Sequence, residues 1–319
     1  MDSPRYERFN VSKVTYKVVH GHEIHTYILV PKNLPKGKHP LIVKFHGGGS
    51  VTGSGIFPDW FAIYLLDLAV QENAIVVSPN YRLLPESTAT EMVSDMNDFW
   101  TWVRTEDFNK HLPAEVVPDH EHTLVYGESA GGHLANLTAL TQPTDYVRAV
   151  IAAYPQTDIE DKYYNEPSEK HPFGFPILPR STWDDHVATI HPDPAKRTLV
   201  SDVMPFKRMP LILSALQHGR FKEIFGDDSD VYPLRVLEKL PSGEKRPFLF
   251  LMHGEKDGVL AVDGTTKFKE AWEKKFGAEG VILHVEPDAD HGFDCDLTLK
   301  EGPEWLKDGI RAVKFAWLQ

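Results

Sequence analysis

The stretch from Thr123 to Leu140 constrains the fold more than any other part of the chain. An apolar run, Thr123-Leu124-Val125-Tyr126, enters Gly127-Glu128-Ser129-Ala130-Gly131-Gly132 and leaves as the helical run His133–Leu140. Glycines at both ends of a G-x-S-x-G pentapeptide let the backbone turn sharply from strand to helix, and the turn lifts the serine hydroxyl above the sheet. Such a turn needs a buried strand beneath it and a helix packed on it. The rest of the chain should therefore alternate the two.

It does so over most of its length. Val11–Val19 and Glu23–Val30 alternate polar and apolar residues around His20-Gly21-His22, which predicts an antiparallel hairpin at a sheet edge. Leu41–Phe45, Ala74–Ser78, Val147–Ala153, Phe248–Met252 and Val281–Val285 are mostly apolar runs of strand length. Trp60–Val70, Glu91–Val103 and Trp305–Leu318 have helical apolar spacing. Strands alternating with helices predict an α/β fold with a mostly parallel central sheet flanked by helices. The 319 residues read as one such domain, 1–319.

One region breaks the rhythm. Residues 155–241 show no β-α alternation and hold 11 of the 24 prolines. Tyr163, Tyr164, Phe173, Phe175, Trp183, Phe206, Phe221 and Phe225 are scattered around or through it. The segment leaves after one strand and returns before the next, so it is expected to be a cap inserted over a site. Its aromatics are expected to line an apolar pocket.

A serine hydroxyl is a weak nucleophile and needs a base and a group to orient that base. On this kind of sheet the chain order is Ser, then Asp or Glu, then His. His291, in Asp288-Ala289-Asp290-His291-Gly292-Phe293, follows the last strand and is the candidate base. Asp257, in His253-Gly254-Glu255-Lys256-Asp257-Gly258-Val259, follows the preceding strand and is the candidate acid. Glu255 and Asp263 are its rivals. Asp263 reads as a helix N-cap, and Asp290 is too close in sequence to His291 for their side chains to meet. A second glycine run, His46-Gly47-Gly48-Gly49, follows the strand Leu41–Phe45 and is the kind of loop whose backbone N–H groups reach a developing oxyanion. No Lys-Ser/Thr follows it at the spacing of a phosphate loop.

Other residues carry simpler readings. His20, His22 and His25 lack the partner carboxylates of a metal site and read as strand surface. Glu128 reads as a support for the turn, and Arg82 as one half of a structural ion pair. Trp100 and Trp102 read as core and helix surface. No metal or organic cofactor is expected.

Composition narrows the partners. The net charge of −12 argues against nucleic acid, whose affinity rests on Lys and Arg. No apolar run approaches the ~18 residues of a membrane span. The polar start, Met1–Arg8, has no signal-peptide core, and Cys295 is the single cysteine, so no intrachain disulfide can form. A cytoplasmic protein acting on a small molecule is expected, with a homodimer left open.

From about Pro40 onward these residues resemble the hormone-sensitive-lipase-like esterase branch of the α/β-hydrolases. The carriers are His46-Gly47-Gly48-Gly49, Tyr81-Arg82-Leu83 with Pro85-Glu86, Gly127–Gly132, His253-Gly254 with Asp257, and Asp290-His291-Gly292-Phe293. The resemblance implies an α/β-hydrolase fold, with Ser129 as nucleophile, His291 as general base and Asp257 as acid. It also implies an oxyanion hole built from the N–H groups of Gly48, Gly49 and Ala130. Two positions depart from the branch. Glu128 stands where Asp is usual, as in carboxylesterases, and Ser50 follows the glycines where a bulky aromatic is common. The helical cap pieces of many relatives are absent from the N-terminal part, which leaves 155–241 to cover the site. Such chains also resemble hydrolases of fungal secondary metabolism.

The expected function is hydrolysis of a carboxylic ester of a small to medium, apolar substrate. Thioester or lactone cleavage and acyl transfer share the same oxyanion and are the alternative. A non-catalytic small-molecule binder on this scaffold, as in plant hormone receptors of the branch, typically lacks the base, and His291 is present here.

Overall fold

The structure, a computed structural model, describes residues 3–319. The first two residues of the polar start, Met1 and Asp2, lie outside the described residues. Eight strands form one sheet: β1 Phe9–Val19, β2 His22–Pro31, β3 Gly37–Phe45, β4 Ile75–Pro79, β5 Val116–Glu128, β6 Val147–Ala153, β7 Phe248–Gly254 and β8 Val281–Glu286. Their order is β1-β2-β4-β3-β5-β6-β7-β8. The β1–β2 hairpin joins antiparallel at the edge, and every pair from β4 through β8 is parallel. The hairpin turns through His20 and Gly21, both at positive φ (48° and 80°), the geometry of a tight two-residue turn.

Helices α1 Ile63–Gln71, α2 Ala89–Trp102, α3 Glu106–Asn109 and α4 Ala130–Thr141 fall between the early strands. The connection from β6 to β7 carries α5 Lys162–Asn165, α6 Ser181–Ala188, α7 Pro205–Gln217, α8 Phe221–Phe225 and α9 Pro233–Lys239. Helices α10 Val262–Phe276 and α11 Glu304–Leu318 complete the chain. Side chains of the central strands alternate between two apolar layers. Leu41, Val43, Val125 and Val150 face one layer with α2 and α4, while Ile42, Leu124, Tyr126 and Ile151 face the other with α1 and α11. Because both faces are covered over the central strands, the parallel strands read as mostly apolar runs. No helix among the described residues is long and apolar enough to cross a membrane.

Local chemistry explains several element ends. At α2 the Thr88 hydroxyl accepts from the Glu91 N–H at 3.2 Å, and the Glu91 carboxylate accepts from the Thr88 N–H at 2.8 Å, a reciprocal cap. Arg82 lies on the Asp95 carboxylate with Nε at 2.8 Å and also reaches Glu91, the structural pair its position suggested. His22 Nε2 lies 2.8 Å from Ser201 Oγ, and His25 Nδ1 lies 3.1 Å from Thr15 Oγ1. Two expectations need correction. Trp102 is not on the helix surface but buried against Phe99 and Phe108, with its indole N–H on Asp107. Asp263 is not an N-cap: Ala261 holds that position, and Asp263 lies one residue inside α10.

Residues 155–241 carry five α-helices, α5 to α9, joined by irregular chain and short 3₁₀ turns. Four of the helices run only 4 to 8 residues, too short for an apolar period to stand out, while the 13-residue α7 begins at Pro205 and carries Pro210 inside it. The segment also reaches back across the sheet to its hairpin side. Val203 pairs with Gly53, Leu83 N–H donates to the Val200 carbonyl at 2.7 Å, and Tyr27 Oη donates to Asp202 at 2.7 Å.

Candidate active site

Strand β5 ends at Glu128 and α4 begins at Ala130, so the whole turn is made by Ser129. Its backbone has φ 56° and ψ −119°, a sparsely populated conformation for a residue with a side chain. Hydrogen bonds hold it there: Ser129 N–H donates to the Ala153 carbonyl at 2.9 Å, and the Ser129 carbonyl accepts from Gln156 N–H at 3.0 Å. The helix must pass close to β3 to complete the turn. A Cβ on Gly131 would stand 2.0 Å from the Phe45 carbonyl oxygen, which is why glycine is required. Ala130 is the first residue of α4, where N–H groups have no intrahelical acceptor.

The second glycine run lies beside this turn because β3 and β5 are neighbours, with Phe45 opposite Gly127. Glu128 ties the two together. Its Oε1 accepts from the Lys44 ammonium at 2.7 Å and from Gly47 N–H at 3.0 Å, and both side chains of the ion pair are almost fully buried. Burial pushes the Glu128 pKa above the ordinary carboxylate value, against the opposing pull of Lys44 and of the Gly47 N–H. Gly48 adopts φ 109°, and a Cβ there would lie 2.0 Å from the Thr52 carbonyl oxygen. His46 anchors the run from below. Its ring stacks on Tyr81 at 4.3 Å, Tyr81 Oη donates to the His46 carbonyl at 2.6 Å, and burial pushes its pKa down to about 4. Ser50, at the departure from the branch, is buried and lies outside the cavity walls, while Trp60 lines them.

His291 and Asp257 meet on the loops after β8 and β7. His291 Nδ1 donates to Asp257 Oδ2 at 2.7 Å. Asp257 is fully buried, and its other oxygen accepts from Val259 and Leu260 N–H, each at 2.8 Å. Burial alone would raise its pKa, but the charge and hydrogen bond of His291 and the hydrogen bond of His253 outweigh that and hold the carboxyl well below the usual range. The rivals are elsewhere. Glu255 accepts from Asp288 N–H at the surface, and Asp290 accepts from Gly258 and His291 N–H.

Sequence reasoning missed two neighbours of this couple. His253, at the end of β7, lies with Nε2 at 3.2 Å from Asp257 Oδ2 and 2.9 Å from the Leu260 carbonyl, while its Nδ1 faces Thr265 Oγ1 at 2.8 Å. With Nε2 as donor and Nδ1 accepting from the Thr265 hydroxyl, all three contacts are satisfied. Tyr154, directly after β6, packs its ring 4.5 Å from that of His291 and donates its hydroxyl to Asp294 at 2.8 Å. An aromatic directly after a central strand, on the side where the strand ends face the loops, was the available signal.

One cavity of about 310 Å³ joins these parts, walled by Gly47, Gly48, Gly49, Ser129 and His291 among others. The β6–β7 segment contributes Phe173, Met209, Ile212, Leu213, Leu216 and Phe221. Of the eight aromatics noted in the sequence, only Phe173 and Phe221 reach it. Trp183 is buried in the core, and the long wall is aliphatic, from α7. A loop serine, an imidazole oriented by a buried carboxylate, and a strained glycine run around one apolar space make an arrangement suited to acyl transfer.

Comparison with known proteins agrees with this fold. A model of the alpha/beta hydrolase fold family matches residues 42–208. The chain is 27% identical to a probable carboxylesterase, M8, of Phoma sp., over 99% of this chain and 100% of that one. It is 29% identical to a probable carboxylesterase, clz11, of Cochliobolus lunatus, over 59% and 86%. It is also 27% identical to part of a non-reducing polyketide synthase, prhL, of Penicillium brasilianum, over 86% of this chain but 12% of that protein. Among solved structures, esterase 2 of Thermogutta terrifontis phosphonylated by sarin shares the fold with a TM-score of 0.60 and 19% identity, over 97% and 95% of the two chains.

Proposed function

This chain belongs to the α/β hydrolase fold family, in its hormone-sensitive-lipase-like esterase branch, and we propose that it is a serine hydrolase cleaving carboxylic esters through an acyl-enzyme. The observation that carries the reading is the 2.7 Å Asp257–His291 couple in the same cavity as Ser129 and the Gly48-Gly49 backbone. Similarity to two probable carboxylesterases supports esters as the substrate class.

His291 Nε2 takes the Ser129 proton as Oγ attacks the ester carbonyl carbon. The negative charge that collects on the carbonyl oxygen is met by the N–H groups of Gly48, Gly49 and Ala130. Asp257 keeps the His291 proton on Nδ1, leaving Nε2 to act as base, and stabilises the imidazolium. That imidazolium protonates the departing alkoxide oxygen, leaving Ser129 acylated. Water, deprotonated by the same imidazole, then releases the acid. His253 braces Asp257 from behind. Residues 155–241 are the cap of this site, and α7 is the wall that selects the apolar part of the substrate.

The match to a segment of a polyketide synthase favours one second reading, in which the same groups act on a thioester or lactone or pass the acyl group to an alcohol. A panel of p-nitrophenyl esters, thioesters and lactones separates the two, and a fluorophosphonate should label Ser129 in either case. Failure to label Ser129 while the protein is folded would end both readings.

The glycine run allows a direct test of the oxyanion donors. Gly48→Ala should lower kcat by ~10²–10³, the effect of losing one such donor, because a Cβ cannot occupy that position without moving the loop. A folded variant with full kcat would remove the loop from the mechanism.

A further inference from the structure

Asp294 is fully buried and lies three residues beyond His291 on the same loop. What holds it is not a cation but three tyrosine hydroxyls. Tyr154 donates to Oδ1 at 2.8 Å, and Tyr64 and Tyr126 donate to Oδ2 at 2.9 Å and 3.4 Å. Burying a carboxyl group away from any counter-charge is costly, and no step of the reaction above uses this one. Its three partners come from three elements: Tyr64 from α1, Tyr126 from β5, three residues before Ser129, and Tyr154 from the end of β6.

Tyr154 is gripped by the loop that carries the base. Its ring lies 4.5 Å from that of His291 and 6.0 Å from that of Phe293, while its hydroxyl is on Asp294. Its backbone has φ 36°, a costly value for a residue with a side chain, and its N–H donates to the Met252 carbonyl at 2.6 Å. Phe173, the other ring beside His291, is 46% exposed, whereas Tyr154 is 2% exposed and so forms the fixed side of the seat. The bond to Asp257 fixes one nitrogen of the imidazole, but a histidine ring torsion is broad. Turning the other nitrogen toward Ser129 needs a second contact on the ring.

We propose that Asp294 and Tyr154 are positioning residues for His291: the carboxyl pins the phenol, and the phenol ring holds the imidazole turned toward Ser129. This rests on the serine-hydrolase reading above and deepens it. Tyr126 carries the same pin to the strand of the nucleophile, so base and nucleophile are both referred to one buried group.

The test uses Tyr154→Phe, Asp294→Asn and, as a control, Tyr64→Phe. Each Phe variant takes one hydroxyl from Asp294, so the two should lower the urea midpoint by similar amounts. Only Tyr154→Phe frees the ring that touches His291; Tyr64→Phe leaves Oδ2 to Tyr126 and the Tyr154 ring pinned. Tyr154→Phe and Asp294→Asn should lower kcat on p-nitrophenyl butyrate by ~10- to 100-fold, the cost of a slightly misplaced catalytic group. KM should stay near native, because the cavity wall is kept. Tyr64→Phe should keep native kcat. The rate at which a fluorophosphonate labels Ser129 should fall in parallel with kcat, since labelling needs the same base and no ester. If Asp294→Asn does not fold, the two Phe variants carry the comparison. Native kcat and labelling in Tyr154→Phe, or equal losses in Tyr154→Phe and Tyr64→Phe, would make Asp294 a structural group and overturn the proposal. If the native protein is labelled at Ser129 yet hydrolyses no ester, the ester reading fails and the labelling rates alone decide this one. A folded native protein that is not labelled overturns both.

Discussion

Ser129→Ala and His291→Ala should each lower kcat for an activated ester by ~10⁴–10⁶, with little change in stability. Each removes a group from the bond-making step itself, and what survives is binding and the backbone donors. Asp257→Asn should cost roughly ten- to a hundredfold less than either. The amide would still fill the site, but its NH₂ would face the His291 nitrogen, and the imidazole would lose its fixed tautomer. The three losses should not add: the Ser129→Ala/His291→Ala double variant should be about as slow as either single one, since they act as a unit. Steady-state rates on p-nitrophenyl butyrate, with far-ultraviolet circular dichroism to establish folding, decide this. Native turnover in folded Asp257→Asn would transfer the orienting role to another carboxylate and leave the 2.7 Å contact without a catalytic meaning.

The second large effect is on stability. Lys44 and Glu128 form an ion pair inside the protein, with side chains 1% and 3% exposed, beneath the Ser129 turn. Glu128→Leu would leave an ammonium buried without its partner and free the Gly47 N–H, and should cost ~3–5 kcal/mol. The paired replacement Lys44→Met with Glu128→Leu should recover most of that loss, because two apolar side chains of similar volume need no desolvation. Activity should not recover with it. Glu128 is the acceptor that fixes Gly47, and the neighbouring donors at Gly48 and Gly49 would be free to shift. Urea midpoints for the native protein and the two variants, read beside kcat, separate the two roles. If Glu128→Leu were as stable as the native protein, the pair would contribute nothing. If the double variant regained full kcat, the tether to the glycine run would be irrelevant to catalysis.

That tether shows where a sequence reading stops. The departure of Glu128 from the Asp usual in the branch was legible as a support for the turn, but its partner was not. Lys44 lies 84 residues away and reads as an ordinary charged residue in an apolar strand. Only the parallel pairing of β3 with β5 brings the two within reach, and the longer Glu side chain spans both Lys44 and Gly47.

The strands, the helices of the sheet and the turn at Ser129 were written locally. A strand, a tight turn and a helix each impose dihedral and burial demands on consecutive residues, and those demands leave periods and glycines that can be read without knowing the fold. The candidates Ser129, Asp257 and His291 stood out for the same reason, as residues just beyond apolar runs. Tertiary structure decided the rest. It separated Asp257 from Glu255 and Asp290, which turn their carboxylates to backbone N–H groups instead of the His291 ring, and from Asp263, which lies inside α10. It set His253 behind Asp257, moved the pocket wall from scattered aromatics to the aliphatic face of α7, and buried Trp102. These are contacts between residues far apart in the chain or differences in where a side chain points. Neither leaves a period in sequence, because each is fixed only when distant segments pack and buried polar groups must find partners.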